Sequence, residues 1–223
     1  MVFNSTLFFG DIWHIAIAVP NTLLMASIIL VISILIGTLF ACFNRYGKVG
    51  LSMLSELYTG YVRSMPLLVH IYILFQLMER LFSSPNVPHT PLAILIYSFY
   101  VGANQAENIK GALRSVPYGQ LDAAYAIGMT RCQAMLRIIF PQAVRVVLPA
   151  FLNSYLSIIK GLSLVFTLGI VDIFAQAKIT AVEEYGYIEA YLAAGVIYWG
   201  ISVGLTLLFT KINAYFDREV AAI

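Results

Sequence analysis

The sequence predicts an all-α, polytopic membrane protein with about five transmembrane helices. Of its 223 residues, 61% are hydrophobic and 11% are charged, with a mean hydropathy of +0.86, whereas soluble domains carry roughly a quarter charged residues. Residues 12–44, 81–106 and 190–210 contain no formal charge, and a spanning helix needs about 20 apolar residues. Because hydrocarbon offers the backbone no hydrogen-bond partner, each span must be helical.

The five predicted spans belong to a single transmembrane domain, residues 1–223. Two further apolar runs are each interrupted by a single cation, Arg63 or Lys160. We place the spans at about 15–43, 56–78, 91–112, 144–166 and 189–211, and a polar loop at about 113–142. The aromatic-rich residues 1–14 are expected to lie at the membrane interface.

The cations of this chain cluster on one side of the predicted spans. One set of loops holds nine of them, whereas the opposite loops hold Arg80 and Lys178 alongside five acids. The nine are Arg45, Lys48, Lys110, Arg114, Arg131, Arg137, Arg145, Lys211 and Arg218. The positive-inside bias therefore predicts a cytoplasmic 113–142 loop, a cytoplasmic carboxyl terminus and an amino terminus outside. Cys42 and Cys132 fall on the cytoplasmic side and are expected to be reduced and unpaired.

The loop predicts a helical hairpin over residues 117–141. Pro117 suits a helix start, and Gly128 suits a left-handed helix end. Thr130 and Gln133 then form a capping-box pattern, and the second helix should end near Pro141, which lacks an N–H. From the residues alone, this hairpin either docks a protein partner or lies on the lipid surface. A further helical turn or two is expected along the outer surface within residues 169–187.

The motif D-A-A-x-x-x-G-x9-I-x-F-P, from Asp122 to Pro141, resembles the EAA loop of permease subunits in ATP-binding-cassette (ABC) importers. The segments GQLDAAYAIGMT, IIFPQAVRVVLPAFLNSYLSIIKGLSL and YVRSMPLLVHIYILF are similar to the polar amino-acid uptake branch of those permeases. The resemblance covers most of the chain from Tyr61 onward. Asp122 departs from the usual Glu by one methylene group.

The resemblance implies the type I ABC importer permease fold and a coupling helix that docks a separate ATPase. The docking residues would be Leu121, Asp122, Ala123, Ala124, Tyr125 and Gly128. It also implies a multi-pass subunit of a prokaryotic inner membrane, a second permease copy or paralogue, and an extracytoplasmic solute-binding protein. This chain has no G-x4-G-K-[ST] phosphate loop, so the partner ATPase would bind ATP and Mg²⁺, and this chain would carry no cofactor.

Polar residues inside the predicted spans indicate where a solute could bind, because ionisable groups in a membrane are costly and usually functional. Pro66 should break span two, which would free polar groups near Ser64 and Met65. The resembled branch carries N-x-A-A-Y-x-A-E and K-D-[ST]-S near its substrate path, where this chain has YVGANQAE and KGLS. The candidate substrate-binding residues are Ser64, Met65, Asn104, Glu107, Lys160 and Ser163.

Two of these candidates have an alternative role, since Lys160 and Glu107 could form a structural ion pair instead. Gly161 replaces the acid of the resembled branch, which disfavours a solute with a basic side chain. Arg63 is expected to tie helices together, and His70 to be a packed, hydrogen-bonded residue rather than a metal ligand, because no second ligand follows at helical spacing.

The sequence favours one function over two others. We predict a permease subunit of an ATP-driven importer for amino acids or close analogues, which is a transporter component and not an enzyme. An ion-coupled secondary transporter, with Glu107 as a proton site, is the alternative. A membrane-embedded enzyme is disfavoured because no catalytic set of residues converges in the sequence.

Overall fold

The computed structural model describes residues 3–82 and 88–221, and the regular secondary structure within them is entirely helical. The helices, in chain order, are α1 (Ser5–Ala16), α2 (Val19–Tyr46), α3 (Val49–Ser64), α4 (Leu67–Phe82), α5 (His89–Ser115), α6 (Tyr118–Ala126), α7 (Arg131–Ala134), a π-helix (Met135–Ile139), α8 (Phe140–Gly161), a 3₁₀-helix (Leu162–Leu168), α9 (Ile173–Glu183) and α10 (Tyr187–Ala221). The predicted all-α class is confirmed.

The centre of the molecule is the close contact between α2 and α5, which run in the same direction. Ideal Cβ atoms built at two glycines show how close the helices come: at Gly37 the Cβ would lie 2.6 Å from Gln105 Cβ, and at Gly102 it would lie 2.7 Å from Ile36 Cγ2. Helices in membranes pack closely where small residues let their backbones approach. The main core extends from this contact and includes Met25, Ile29, Ile71, Phe75, Ile96, Tyr97 and Ile158.

A second core joins α1 and α9 to the first half of α10, mostly through alanines. Its buried members are Ile15, Ala18, Ile173, Ala177, Ala181, Ala190, Ala193 and Ala194. Asp172 begins α9 by accepting a hydrogen bond from the Ala175 N–H (2.8 Å), and it also accepts one from the Tyr198 hydroxyl (3.1 Å). The predicted helical segment is present, but it is longer than the expected turn or two. This segment is an 11-residue helix with one buried face.

Three of the described helical segments are long and apolar enough to cross a membrane: Val19–Arg45, Arg131–Leu168 and Tyr187–Ala214. The pair Val49–Ser64 and Leu67–Leu81 would provide a fourth. α5 covers the predicted span 91–112, and its 27 residues correspond to about 40 Å at 1.5 Å per residue. It is more polar than the others because it contains an amide- and charge-bearing stretch, from Asn104 to Lys110.

The predicted break in span two is confirmed, and it is sharp. α3 ends at Ser64, α4 begins at Leu67, and the two helices are bent by 114°. Met65 is extended, as expected for a residue that precedes a proline. The first span is also divided, because α1 ends at Ala16 and α2 begins at Val19 with Pro20 in its first turn.

The predicted helix end at Pro141 is wrong, because Arg131–Leu168 forms one continuous helical rod. The chain forms a π-helix directly before the proline, where the Phe140 N–H donates to the carbonyl five residues back, on Met135. Pro141 follows as the second residue of α8, inside the rod, where its ring would clash with a carbonyl of the preceding turn in a regular α-helix. The wider turn thus lets a proline follow a helix without ending it.

The α2–α5 contact leads to a stability prediction. Gly37→Ala should lower the free energy of unfolding by about 1–3 kcal/mol, because the new methyl group would meet the α5 backbone, including Ala106 N at 2.8 Å. Thermal unfolding of the detergent-solubilised protein measures this loss. Gly111→Ala on α5 is the control, since its Cβ would meet nothing within 4 Å. Equal melting temperatures for the two variants would contradict the prediction.

Candidate functional site

A polar cavity of about 380 Å³ lies between α5 and α8. Side chains spaced three or four residues apart share one face of a helix, and each helix contributes such a set to the cavity. The α5 set is Tyr97, Tyr100, Val101, Asn104 and Asn108, and the α8 set is Ala150, Asn153, Ser154, Ser157 and Ile158.

The cavity wall combines apolar side chains with uncharged amides and hydroxyls. The hydroxyls of Ser154 and Ser157 donate to backbone carbonyls of their own helix, at 2.9 and 3.0 Å, which leaves their oxygen lone pairs as acceptors. The Asn108 amide donates to Gln105 Oε1 at 3.0 Å. Among the described residues that line the cavity, none carries a formal charge. The wall therefore suits a polar group that binds through neutral hydrogen bonds.

Tyr97 closes one side of the cavity through an unusually close approach to α8. Its side chain is buried, and its hydroxyl lies 3.4 Å from the Ile158 carbonyl oxygen. A Cβ built on Gly161 would overlap Tyr97 Oη. Residue 161 therefore has to be glycine as long as the tyrosine ring occupies this position.

The α6–α7 hairpin is built from two capping motifs in succession. At the end of α6, Gly128 has a φ of +81°, and the N–H groups of Gly128 and Met129 donate to the carbonyls of Tyr125 and Ala124, which is the Schellman arrangement. At the start of α7, the backbone and side chains of Thr130 and Gln133 exchange two hydrogen bonds. The predicted glycine break and capping box are both confirmed.

Two glutamines attach the hairpin to α8. Each of the Gln120 and Gln142 amides donates to the other's side-chain oxygen, and the Gln142 amide also donates to the Ile138 carbonyl at 2.9 Å. A small apolar core beside them includes Ala112, Val116, Ile139, Ala143 and Val147. The hairpin is thus fixed to the ends of α5 and α8, the same helices that line the cavity.

The comparisons with known proteins agree with this architecture. Residues 33–221 match the family described as "Binding-protein-dependent transport system inner membrane component". The chain belongs to this family.

Individual relatives of this permease extend over most of its length. It is 36% identical to a probable amino-acid ABC transporter permease protein, PatM, of Vibrio harveyi, with 83% of this chain and 84% of the relative covered. It is 35% identical to a probable amino-acid permease protein, YxeN, of Bacillus subtilis, with 92% and 90% covered. The crystal structure of an amino acid ABC transporter with histidines superposes with a TM-score of 0.86 at 26% identity, covering 98% of this chain and all of the other.

Membership of the family confirms the predicted permease subunit of an ABC importer and its type I fold. It places the chain in the inner membrane and implies ATPase and solute-binding protein partners. It also favours ATP-driven import over the ion-coupled alternative and over an enzyme, because ATP hydrolysis belongs to a separate subunit in these systems.

The permease brings part of the predicted substrate set to the cavity. Asn104 lines it. The Met65 carbonyl lies 3.4 Å from the Tyr100 hydroxyl, so the break between α3 and α4 borders the same region. Ser64 is exposed, and its hydroxyl donates to the Gly60 carbonyl of its own helix.

The charged candidates lie outside the cavity lining. Glu107 forms an ion pair with Lys110, one turn further along α5, so the predicted Lys160–Glu107 pair is replaced by a local one. Lys160 is exposed at the end of α8, and its carbonyl accepts a hydrogen bond from the Ser163 hydroxyl at 2.8 Å. A role for Glu107, Lys160 and Ser163 in substrate binding stays a prediction.

Two other polar residues of the predicted spans differ from expectation. His70 is buried beside the rings of Phe99 and Tyr100, at centroid distances of 6.1 and 5.5 Å. It is packed as predicted, but its Nε2 atom has no hydrogen-bond partner among the described residues. Arg63 is exposed, and within residues 3–82 and 88–221 no ion pair joins it to another helix.

The predicted docking residues divide into an outer and an inner face of the hairpin. Asp122, Ala123, Tyr125 and Gly128 are exposed, whereas Leu121 is half-buried and Ala124 is 2% exposed. Ala124 therefore packs inside the hairpin, and its part in docking stays a prediction. Tyr118 and Ile127 were not predicted, yet they are 70% and 73% exposed and extend the apolar surface.

Sequence reasoning also missed most of the cavity wall. The set Asn153, Ser154 and Ser157 carries a signal that was available, because three polar residues at helical spacing interrupt an otherwise apolar span. Tyr97 and Asn108 carried no comparable signal, since their role depends on how α5 lies against α8.

The contact between Tyr97 and Gly161 gives a prediction on packing. Gly161→Ala should displace the Tyr97 ring and lower both the melting temperature and binding-protein-dependent uptake, because overpacking costs about 1–3 kcal/mol. Adding Tyr97→Phe removes the hydroxyl that clashes and should restore part of both. Uptake assays in cells and thermal unfolding in detergent measure the effects. A double variant as impaired as Gly161→Ala alone would contradict this explanation.

Proposed function

We propose that this permease moves amino acids or close analogues across the inner membrane, driven by ATP hydrolysis in a separate subunit. The observation that carries the proposal is the helical rod Arg131–Leu168, which begins in the hairpin and lines the cavity with residues from Ala150 to Ile158. A rigid helix transmits a displacement of one end to the other, whereas a flexible loop does not.

The proposed substrate has a neutral polar side chain. Both relatives described above are named as amino-acid permeases, and the similar structure is described as an amino acid ABC transporter with histidines. The uncharged lining disfavours a basic side chain, which would lose its hydration without gaining a carboxylate partner. Gly161 stands where the resembled branch has an acid, and this supports the same conclusion.

The proposed binding residues are centred on Asn104, together with Asn153 and Tyr100, in the cavity wall. Met65 would contribute through its backbone at the break between α3 and α4. Ser64, Glu107, Lys160 and Ser163 remain candidates along the path by which the solute enters or leaves.

The proposed docking face consists of exposed hairpin residues: Tyr118, Asp122, Ala123, Tyr125, Ile127 and Gly128. Leu121 and Ala124 would hold this face in shape. The face fits a groove on an ATPase subunit that binds ATP and Mg²⁺. Closure of two such ATPases would then move the hairpin and, through α8, open the cavity alternately to each side of the membrane.

The proposed topology has five spans, with α5 as the third. Shielding of its polar face by α2 and α8 would make it compatible with the bilayer. The amino terminus would lie outside and the carboxyl terminus in the cytoplasm. A second permease, either a copy or a paralogue, would complete the path, and a solute-binding protein would deliver solute to the outer loops.

The proposal is tested in vesicles that contain the permease, its ATPase and the solute-binding protein. Uptake of a labelled neutral amino acid should require ATP and all three components. Accumulation by vesicles that hold the purified permease alone would overturn the proposal.

In this assay, Ala123→Arg should abolish ATP-dependent uptake and co-purification with the ATPase. The residue is exposed on α6, so the long cation would separate the docking surfaces without entering the permease core. Val182→Arg, an exposed position on α9, is the control and should retain the ATPase. Normal co-purification of Ala123→Arg would remove this face from the interface.

Asn153→Ala and Asn104→Ala should each lower uptake by about tenfold or more, because each loses a hydrogen bond to bound solute worth about 1–3 kcal/mol in a buried setting. The ATPase should still co-purify. Asn21→Ala is the matched control, since that side chain is exposed and donates to the Val171 carbonyl, away from the cavity. Full uptake by both cavity variants would place the substrate elsewhere.

A further inference from the structure

Three side chains of the metal-ligating type converge where α1 meets the end of α9. Asp11 and His14 lie three residues apart on α1, and Glu184 directly follows α9. One ligand atom from each lies within 4.8 Å of the others, and His14 Nδ1 is 3.5 Å from Glu184 Oε1. This group, the Asp11–His14–Glu184 cluster, lies outside the cavity and the hairpin.

Asp11 is the member of the cluster that its surroundings do not satisfy. The residue is 1% exposed, and its buried Oδ1 atom has no hydrogen-bond partner among the described residues. A buried carboxylate oxygen without a donor is costly. Burial and the neighbouring charge of Glu184 together raise the pKa of Asp11 to about 6. The arrangement lacks a positive charge next to this oxygen.

The surroundings of the cluster add further negative charge. Glu189 on α10 is 8% exposed and accepts a hydrogen bond from the Asn4 N–H at 2.8 Å. Its charge also acts on Asp11. The nearby cation-forming group is His14, which is largely exposed, while Lys178 lies against the Phe166 ring, 4.4 Å from its centroid. Three carboxylates and one imidazole give this region an excess of negative charge, which favours the binding of a cation.

The distances are close to those of a metal site. Zinc binds imidazole nitrogen and carboxylate oxygen at about 2.0–2.2 Å, so two ligand atoms of a tetrahedral site lie about 3.4 Å apart. The His14–Glu184 distance of 3.5 Å matches this spacing, and all three ligand atoms lie within 4.8 Å of one another. One imidazole and two carboxylates suit zinc and similar divalent transition metals.

We propose that Asp11, His14 and Glu184 bind a divalent transition-metal cation, with zinc as the probe. The ion neutralises the buried Asp11 carboxylate and joins α1 to the turn between α9 and α10. That turn contains Tyr185 in a left-handed conformation, with a φ of +53°, which directs the chain away directly after Glu184. The site is structural and holds the first helix against the second core.

The rival explanation is a proton shared between Asp11 and Glu184, which would also satisfy the buried oxygen without a metal. The two differ in their dependence on His14. A shared proton does not need the imidazole, whereas the metal loses one of three protein ligands when it is removed.

The experiment uses the full-length chain in lipid nanodiscs, purified with a tag that contains no histidine. Cys42 and Cys132 are exposed thiols that bind zinc themselves, so both are replaced by serine. Calorimetric titration with Zn²⁺ should give one saturable site per chain. His14→Gln and Glu184→Gln should each weaken that binding by about tenfold or more, while Glu183→Gln, the adjacent exposed acid, should leave it unchanged.

Thermal unfolding supplies the second measurement. Zn²⁺ should raise the melting temperature of the parent chain and of Glu183→Gln, because a ligand that binds the folded state stabilises it. It should not do so for His14→Gln, whose own melting temperature without zinc shows that the exposed substitution leaves the fold intact. Absence of a saturable site in the parent chain would overturn the proposal in favour of the shared proton. Binding unaffected by His14→Gln and Glu184→Gln would equally overturn it.

Discussion

The close approach of α2 and α5 is the contact on which the other helices depend. The approach is possible because Gly37 and Gly102 leave room for the backbone or side chains of the opposite helix. α3 is then attached to this pair, because the Tyr58 hydroxyl donates to the Phe99 carbonyl at 2.6 Å. Hydrocarbon supplies no hydrophobic driving force between helices, so their association relies on contact area and buried hydrogen bonds. α4 and α8 then pack on a surface that the two central helices create together.

The distribution of polar groups follows the same physical constraint. In a low-dielectric interior, a charge is stable when it is paired, and a neutral amide or hydroxyl when it is hydrogen-bonded. The charged pair of Glu107 and Lys110 lies toward the end of α5, whereas the polar groups of the cavity wall are amides and hydroxyls. A cavity without fixed charge holds a polar molecule less tightly than one in which an ion pair would have to be separated.

How much of this could be predicted from the sequence depends on the range of the interactions involved. Gly128, the Thr130 capping box and the Pro66 break act over a few residues, and all three were predicted correctly. The continuation through Pro141 was missed because a π-helix leaves no composition signal, and the length of α9 because its burial depends on α1 and α10. The Asp11–Glu184 proximity and most of the cavity wall involve residues far apart in the chain, so no local pattern contained them.

The π-helix between the hairpin and α8 also sets an angular relationship. Each residue of an α-helix turns the chain by about 100°, so the extra residue accommodated at Met135–Ile139 decides which face of α8 points toward α5 for a given direction of the hairpin. Shortening the helix by one residue at this point would turn Asn153 and its neighbours away from the cavity while leaving every capping motif in place. The rotational phase of α8 therefore determines which of its side chains line the cavity.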